Sequence, residues 1–295
     1  MKRPAIRALL CSAVLSLFAV QALSAAELPA SFPGEKPPVD TDEGGIWLQS
    51  EKAEKEVSQS PSLVQDGELT AYIRKLVCDL AGPQCTEVRV YVVDTPLSNA
   101  FCLPNGAMVV YTGLLLRTEN EAQLAFVLGH EQTHFRNRHG MTQQHRIKEA
   151  AIALSFLSLG TGVFANLAYL AALGTLMSYS RDQERDADAG GFEIAVAKGY
   201  DSKQGAMLWA NLETEANAAP KRNTPALFFA SHPTNRERRE TMLRMAAESQ
   251  KGSASAVTGA DSYRSVMLRH RSEWFEEELN RNAYDESVSL LRRMI

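Results

Sequence analysis

The chain has 295 residues, of which 45% are apolar and 22% are charged, with 31 basic and 35 acidic side chains. This is an ordinary globular composition, and it is long enough for one or two packed domains. The slight acidic excess argues against a protein that binds nucleic acid or another polyanion through its net charge.

The first 26 residues have the pattern of a cleavable secretory signal. They contain Lys2, Arg3 and Arg7 but no acid, continue with the apolar run Ala8–Leu23, and end in small residues. An uncleaved membrane anchor is the alternative, although this run is short for a bilayer span. Cleavage would leave 269 residues with a net charge of −7. We therefore predict a periplasmic protein that is secreted across the inner membrane.

Export would place Cys78, Cys85 and Cys102 in an oxidising compartment. Six residues separate Cys78 from Cys85, and closing so short a loop would stabilise the fold by about 2.5 kcal/mol. We predict a disulfide between these two residues, with three buried thiols as the alternative. Because the number is odd, at least one cysteine stays unpaired in either case.

The composition divides the mature chain into four parts. Residues 27–45 are rich in Pro, Gly and acids, which predicts an extended leader. A folded domain is expected over residues 46–250. A Gly-, Ser- and Ala-rich linker follows at residues 251–262. Residues 263–295 have helical spacing with a break near Asn280-Arg281-Asn282, which predicts a C-terminal helical hairpin.

Within the domain, the period of the apolar residues changes along the chain. It is helical in Trp47–Val57 and Leu63–Leu80. The period is two in residues 88–92. Apolar residues 108–111 follow the turn signal Pro104-Asn105-Gly106. Together these patterns predict short antiparallel strands.

The next predicted helix carries the chemistry. Thr118 and Glu121 form a capping-box pattern, and apolar spacing continues to about Arg138. On this helix, residues 129–134 read Gly-His-Glu-Gln-Thr-His, an H-E-x-x-H motif. His130 and His134 lie on one helix face and can bind one zinc ion, and Glu131 would face the position where water binds.

A third protein ligand is needed, and the sequence offers two continuations. One class of zinc peptidases requires glycine at position 137 and histidine at position 140, but these residues are Asn137 and Gly140. The other class takes a glutamate from a later helix, with an acid one turn further that orients a ligand histidine. Glu184 and Asp188 have this spacing. A solvated acidic helix face is the alternative.

Several short motifs resemble one zinc metallopeptidase family, which includes the membrane protease HtpX, the CAAX prenyl protease and the periplasmic protease-chaperone BepA. In chain order they are Asn99-Ala100-Phe101, Pro104-Asn105-Gly106, Gly113-Leu114-Leu115, Asn120-Glu121, the motif at 129–134, the Ser-Arg-Asp-Gln-Glu-Arg-Asp-Ala-Asp run at 180–188, Ser231-His232-Pro233 and Arg238. No tetratricopeptide array follows the linker as it does in BepA, so the resemblance does not extend to BepA-like partner docking.

The resemblance implies a mainly helical α+β fold of the gluzincin type with a small antiparallel sheet. It implies one zinc ion per chain bound by His130, His134 and Glu184, with Glu131 as the catalytic acid and base. The strand at Asn99, Ala100 and Phe101 would offer its edge to an extended substrate peptide, because backbone pairing binds a chain without requiring one sequence.

Three further residues receive candidate roles. We expect Asp188 to orient a ligand imidazole. Arg238 would brace the site or stabilise the developing oxyanion, with a surface arginine as the alternative. His232 would lie beside the zinc, where it would either occupy the open coordination position or stabilise the transition state; a turn histidine is the alternative. His139 is assigned a structural or surface role, and His145 and His270 are expected to be exposed.

Residues 150–180 carry no charged side chain and are interrupted by Gly160-Thr161-Gly162. A single membrane span would separate His134 from Glu184, and either half is too short to cross a bilayer alone. We predict a helical hairpin that packs on the domain or contacts a membrane surface. The sequence thus predicts an envelope zinc endopeptidase acting on unfolded or misassembled proteins. A chaperone or binding protein on the same fold is the alternative.

Overall fold

The computed structural model describes residues 34–143, 179–218, 232, 236–249 and 256–294. The predicted signal sequence and nearly all of the uncharged stretch 150–180 lie outside these ranges, as does His145. No helix within them is long and apolar enough to cross a membrane. The membrane contact of residues 150–180 stays a prediction.

The first two helices begin at capped positions. Helix α1 (Asp42–Ser58) starts within the predicted leader, because the Thr41 side chain accepts a hydrogen bond from the backbone N–H of Gly44. Helix α2 (Gly67–Ala81) starts after Asp66, whose carboxylate accepts two backbone N–H groups of the first turn. Its apolar residues recur every three or four positions and face the core.

The predicted disulfide is confirmed. Cys78 near the end of α2 is bonded to Cys85, which lies in the 3-10 turn Gly82–Glu87 that follows. Cys102 is a free, buried thiol. The bridge therefore fixes the turn that leads from α2 into the sheet.

Three strands form one mixed sheet in the described part of the chain. Strands β1 (Arg89–Val93), β2 (Ala100–Cys102) and β3 (Ala107–Tyr111) have the order β1-β3-β2. The predicted turn at Pro104-Asn105-Gly106 connects β2 to β3, which pair antiparallel. The expectation that all strands are antiparallel is wrong for β1, which pairs parallel to β3. The reason is that β2 is inserted between them in sequence and reverses the chain once more.

The catalytic-motif helix starts two residues later than its sequence pattern indicates. Helix α3 (Thr112–Arg117) is followed by Thr118, whose hydroxyl donates to the backbone carbonyls of Leu114 and Leu115 and contacts the hydroxyl of Tyr263, so it does not cap the next helix. Asn120 caps helix α4 (Glu121–Arg136) instead, and its side chain accepts the backbone N–H three residues on. Thr118 is thus used to end one helix and to contact the C-terminal segment.

Three helices follow α4 before the C-terminal segment. Helix α5 spans Arg181–Ala197, and Gly199 behind it has φ +85°. Helices α6 (Lys203–Asn217) and α7 (Arg236–Ser249) complete this part of the described chain. Helix α4 makes its most extensive packing contact with α5, and α6 packs against both α4 and α7.

The C-terminal segment contains three described helices, not a hairpin. They are α8 (Ala260–Met267), α9 (Arg271–Asn280) and α10 (Tyr284–Met294). The predicted break at 280–282 is present, and a second break at 268–270 separates α8 from α9. Helix α8 starts within the predicted linker. It packs on α2 and α4, while α9 packs on α3 and α10 on α6.

A buried group of charged side chains ties the C-terminal helices to the domain. Arg117 of α3 donates from Nε to Glu215 of α6 at 2.7 Å and from Nη2 to Glu278 of α9 at 2.8 Å. Glu278 also accepts from Arg281, which pairs with Glu286 at 3.0 Å. We call these five residues the Arg117 cluster.

Candidate metal centre

The two histidines of the motif meet on the buried face of α4. Nε2 of His130 and Nε2 of His134 are 3.0 Å apart. Glu184 of α5 places Oε1 3.6 Å from Nε2 of His134 and Oε2 3.6 Å from Nε2 of His130. All three side chains are buried. The structure therefore brings together the three predicted ligands from two helices that are about 50 residues apart.

Glycines allow α4 and α5 to approach closely enough for this contact. A Cβ atom on Gly191 would lie 2.6 Å from the backbone nitrogen of His130, and one on Gly190 would lie 2.5 Å from the Thr133 side chain. Gly129 of α4 faces Gly191 directly. Any larger residue at 191 would push the Glu184 helix away from the histidines. The motifs do not predict this contact, and its signal in the sequence is the Gly190-Gly191 pair inside the helix that carries Glu184.

His232 adds a fourth donor atom to the same point. Its Nδ1 is 3.2 Å from Nε2 of His130 and 3.2 Å from Oε1 of Glu184. The four residues each offer one ligand atom, and these atoms lie within 4.8 Å of one another. A tetrahedral site with bonds of about 2.0–2.2 Å has its ligand atoms about 3.3–3.6 Å apart. The observed separations of 3.0 to 3.6 Å fit a tetrahedral ion such as zinc.

The electrostatics of the cluster also favour a cation. Burial lowers the pKa of His134, and His130 and His232 lower it further, so this imidazole is neutral and presents a lone pair. Burial opposes ionisation of Glu184, but His232, His130 and Arg238 outweigh it, and the pKa of this carboxyl is lowered. Lone pairs and a carboxylate that face one another in a buried space repel unless a cation lies between them.

Asp188 and Arg238 support the ligands from behind. Oδ1 of Asp188 is 3.1 Å from Nδ1 of His130, which fixes the nitrogen that faces the cluster. Arg238 donates from Nε and Nη2 to Asp188 at 2.6 and 2.7 Å, and its Nη1 is 2.6 Å from Glu184. Burial raises the pKa of Asp188, but the Arg238 hydrogen bonds outweigh this and hold it at about 2.

These contacts separate the alternatives for Arg238. Its guanidinium is buried, lies between two carboxylates, and stacks over Trp209 with Cζ 4.5 Å from the ring centroid. A surface arginine would have none of these contacts. They favour bracing of the ligands over stabilisation of an oxyanion, because the donor groups already face Asp188 and Glu184.

Glu131 lies beside the ligand atoms and is fully buried. Neither of its carboxylate oxygens has a hydrogen-bond partner among the described residues, and Oε1 lies 3.2 Å from Nε2 of His232. Burial raises the pKa of Glu131, and this effect exceeds the opposite effects of His232 and His130. A carboxylate with a raised pKa accepts a proton more readily than an ordinary carboxylate does.

Two residues in the site were not assigned a place there from the sequence. The Tyr179 ring stacks on His134 with the ring centroids 3.6 Å apart. It precedes Ser180, which caps α5, and this proximity to the Glu184 helix is the signal that could have found it. His139 contacts His134 from the other side. His270 is remote, and contrary to expectation it is partly covered, with Nε2 3.1 Å from Asp66.

The predicted substrate strand is in place beside the cluster. β2 is the edge strand of the described sheet and packs on α4, which carries the motif. The side chains of Asn99, Ala100 and Phe101 are completely buried. Any contact between this strand and a peptide would therefore involve the backbone edge and not these side chains.

A family model, described as peptidase family M48, matches residues 64–246, which include the sheet, α4, α5, His232 and Arg238. The chain belongs to this family. The match confirms the resemblance that the sequence motifs indicated and the assignment to the metalloendopeptidases.

Two groups of curated relatives are similar to the chain. The mitochondrial metalloendopeptidase OMA1 is 30% identical over 183 residues in Danio rerio, covering 58% of this chain and 38% of the relative. Its Arabidopsis thaliana counterpart is 34% identical over 155 residues, covering 50% and 30%. The beta-barrel assembly-enhancing protease of Escherichia coli K12 is 27% identical over 193 residues, covering 61% and 39%. The aligned region spans less than two fifths of each of these relatives.

Proposed function

We propose that the protein is a zinc-dependent endopeptidase that cleaves unfolded or misassembled proteins of the cell envelope. The observation that carries the proposal is the convergence of His130, His134 and Glu184 on one buried point next to Glu131. These are the ligand set and the acid-base group that peptide hydrolysis by a zinc peptidase requires.

Different side chains of the protein perform different steps of peptide hydrolysis. Zinc, when bound by the three ligands, would supply a Lewis acid that polarises the scissile carbonyl and increases the acidity of water. Glu131 removes the proton from the attacking water and delivers it to the leaving amine. Its raised pKa suits both steps, since the carboxyl must release the proton as readily as it accepts it. Asp188 keeps the His130 ring in the orientation that presents Nε2 to the metal.

Substrate would bind along β2. An extended peptide that pairs with this edge strand would pass over the motif on α4 with its backbone held at several positions. Backbone pairing requires an unfolded segment and no particular side chains. This is the reason to propose unfolded proteins as the substrate class.

The periplasm is the proposed compartment. The support comes from the secretory pattern of residues 1–26 and from the Cys78–Cys85 disulfide, which persists in an oxidising environment. The similar bacterial relatives are named beta-barrel assembly-enhancing proteases. Misassembled envelope proteins are therefore the proposed natural substrates.

His232 would hold the enzyme in a latent state. Its Nδ1 takes the fourth position of the ligand cluster, and its Nε2 faces Oε1 of Glu131 at 3.2 Å. The His232 imidazole therefore lies where the water would bind, and it also contacts the carboxylate that would activate that water. Withdrawal of His232 when a substrate binds would make the latency reversible. The rival role, stabilisation of the tetrahedral oxyanion, requires His232 to face the substrate.

Whether His232→Ala increases or decreases the cleavage rate distinguishes the latency role from the oxyanion role. Latency predicts that His232→Ala increases the basal cleavage of unfolded casein, and that adding Glu131→Gln abolishes it. The oxyanion role predicts a loss of about a hundredfold in turnover for His232→Ala. Zinc content is measured in parallel, because the single variant must retain zinc for either comparison to hold.

Metal analysis tests the proposal itself. The purified mature protein should contain close to one zinc ion per chain, and Glu184→Ala should lose most of it, because a methyl group cannot replace a carboxylate ligand. Full zinc retention in this variant would assign the third ligand to another residue.

Proteolysis with and without a chelator distinguishes the enzyme from the chaperone alternative. Cleavage of unfolded casein that stops on chelation and returns with zinc supports the endopeptidase. Prevention of aggregation without cleavage, equal in the wild type and in Glu131→Gln, would instead support a binding protein on the same fold.

A further inference from the structure

The chain turns back on itself directly after the motif helix. Helix α4 ends at Arg136, and Arg138 has the left-handed backbone conformation with φ +54°. The backbone N–H of His139 then bonds to the carbonyl of His134 at 3.0 Å. Left-handed residues end helices in this way, but a residue other than glycine rarely occupies the position. The turn returns His139 to the end of the helix, beside His134.

The returned side chain contacts the nitrogen of His134 that does not face the ligand cluster. Nδ1 of His139 lies 2.9 Å from Nδ1 of His134, and His139 is buried. If Nε2 of His134 presents its lone pair to a metal, Nδ1 carries the proton. His134 then donates this hydrogen bond, and Nδ1 of His139 accepts it.

The sequence of hydrogen-bond donors and acceptors continues from His139 to Asp186. Because Nδ1 of His139 accepts, its Nε2 carries the proton, and this nitrogen is 3.2 Å from Oδ2 of Asp186. Oδ2 also accepts from Asn137, and Gln183 donates to the backbone carbonyl of His139. Every donor in the chain from His134 to Asp186 has an acceptor in the described structure, so the arrangement fixes one tautomer for both imidazoles.

The two ligand histidines are therefore supported differently. Asp188 contacts His130 directly and is itself buried between that ring and Arg238. Nδ1 of His134 reaches a carboxylate only through His139, and the Asp186 side chain is about half exposed. Among the described residues, His139 is the acceptor found for Nδ1 of His134, which would lack one without it.

We propose that His139 is a positioning residue that orients His134 for metal binding, with Asp186 as the group that orients His139. The inference rests on the proposed zinc site. Removal of such an orienting partner typically weakens metal binding about 10- to 100-fold. A His139 variant that lacks the acceptor should lose affinity in this range, and the loss in Asp186 variants should be smaller because Asp186 acts through His139.

Zinc affinity, measured by competition with a chromophoric chelator, tests this without any activity assay. His139→Leu should raise the Kd for zinc at least tenfold. His139→Asn should stay within about threefold of the wild type, because the asparagine Oδ1 takes the place of Nδ1 and accepts from His134. Asp186→Ala should give an intermediate loss. Asp182→Ala is the matched control, since this exposed acid on the same helix pairs with Arg185 and not with His139.

A merely structural role for His139 predicts a different pattern. His139→Leu would then lower the unfolding midpoint without changing zinc affinity, or the Leu and Asn variants would lose affinity equally, and either result overturns the inference. If His139→Leu does not fold, the Asn and Asp186→Ala variants decide, since the inference requires near-normal affinity in the first and a loss in the second. Failure of the wild type to bind zinc would instead overturn the proposed metal site, and with it this inference.

Discussion

Two buried clusters of ionisable side chains in the same protein are built in opposite ways. In the Arg117 cluster, opposite charges alternate, and Arg117 donates to two carboxylates while Glu278 accepts from two arginines. In the metal centre, three imidazoles and two carboxylates converge, and both oxygens of Glu131 lack hydrogen-bond partners among the described residues.

The difference shows which cluster serves folding and which serves chemistry. A buried charge without a partner destabilises the folded state, so it persists only where function requires it. Each carboxylate of the Arg117 cluster accepts a hydrogen bond from an arginine, although Oε2 of Glu215 has no hydrogen-bond partner among the described residues. The ligand atoms of the metal centre are instead arranged for a cation, and Glu131 for a proton.

The largest expected effect separates activity from stability. Glu131→Gln should reduce peptide hydrolysis by about a thousandfold, since the acid-base group is lost. Its unfolding free energy should be unchanged or higher, because a buried carboxylate without a hydrogen-bond partner among the described residues is replaced by a neutral amide. Casein turnover and a urea unfolding curve measure the two quantities. A clear loss of stability would show that Glu131 is paired as the Arg117 cluster is.

The opposite result is expected for Arg117→Met. Removing this guanidinium leaves Glu215 and Glu278 buried without their partner, which should lower the unfolding free energy by about 3–5 kcal/mol. Zinc affinity of the folded fraction should not change. Arg269→Met is the control, because the exposed pair of Arg269 with Glu68 should contribute nothing measurable. A stability loss as small as that of the control would contradict the contrast between the clusters.

A third variant calibrates stability at a site remote from both clusters. Replacing Cys78 and Cys85 by serine should lower the unfolding free energy by about 2.5 kcal/mol by the loop-entropy argument. Zinc content should be unaffected. Loss of zinc in the folded double variant would indicate that the turn after α2 also positions the metal centre.

The smallest predicted effect tests the helix contact that builds the centre. Gly191→Ala should destabilise the protein by about 1–3 kcal/mol and weaken zinc binding, because the added methyl group meets the His130 backbone. Gly67→Ala in the first turn of α2 is the control, since nothing lies within 4 Å of its added methyl group. Equal stability and zinc affinity in the two variants would mean that α5 can shift without disturbing the ligands.

The parts of this picture that depend on local geometry could be predicted from the sequence. His130 and His134 are one turn apart on one helix, and Glu184 and Asp188 are one turn apart on another. The bounds of α5 and the Cys78–Cys85 bridge likewise follow from nearby residues.

Long-range contacts could not be predicted in this way. The parallel pairing of β1 with β3 depends on where β2 is inserted, and helical periodicity does not show that Gly191 meets His130. The pattern of Thr118 and Glu121 resembles a capping box. In the structure, however, the Thr118 hydroxyl contacts the hydroxyl of Tyr263, which lies 145 positions further along the chain. Tertiary contacts of this kind override the local signal.

The Arg117 cluster has a consequence for the order of events during biosynthesis. Arg117 and Glu278 are 161 positions apart, so this contact can hold the segment leading into the H-E-x-x-H helix only after Glu278 has been synthesised. Contacts between such distant segments form late in folding. A growing chain that has not reached Glu278 therefore has the H-E-x-x-H motif but lacks this support. We expect proteolytic competence to arise only after the helix that carries Glu278 has been translated, which would protect the cell from a partly made protease.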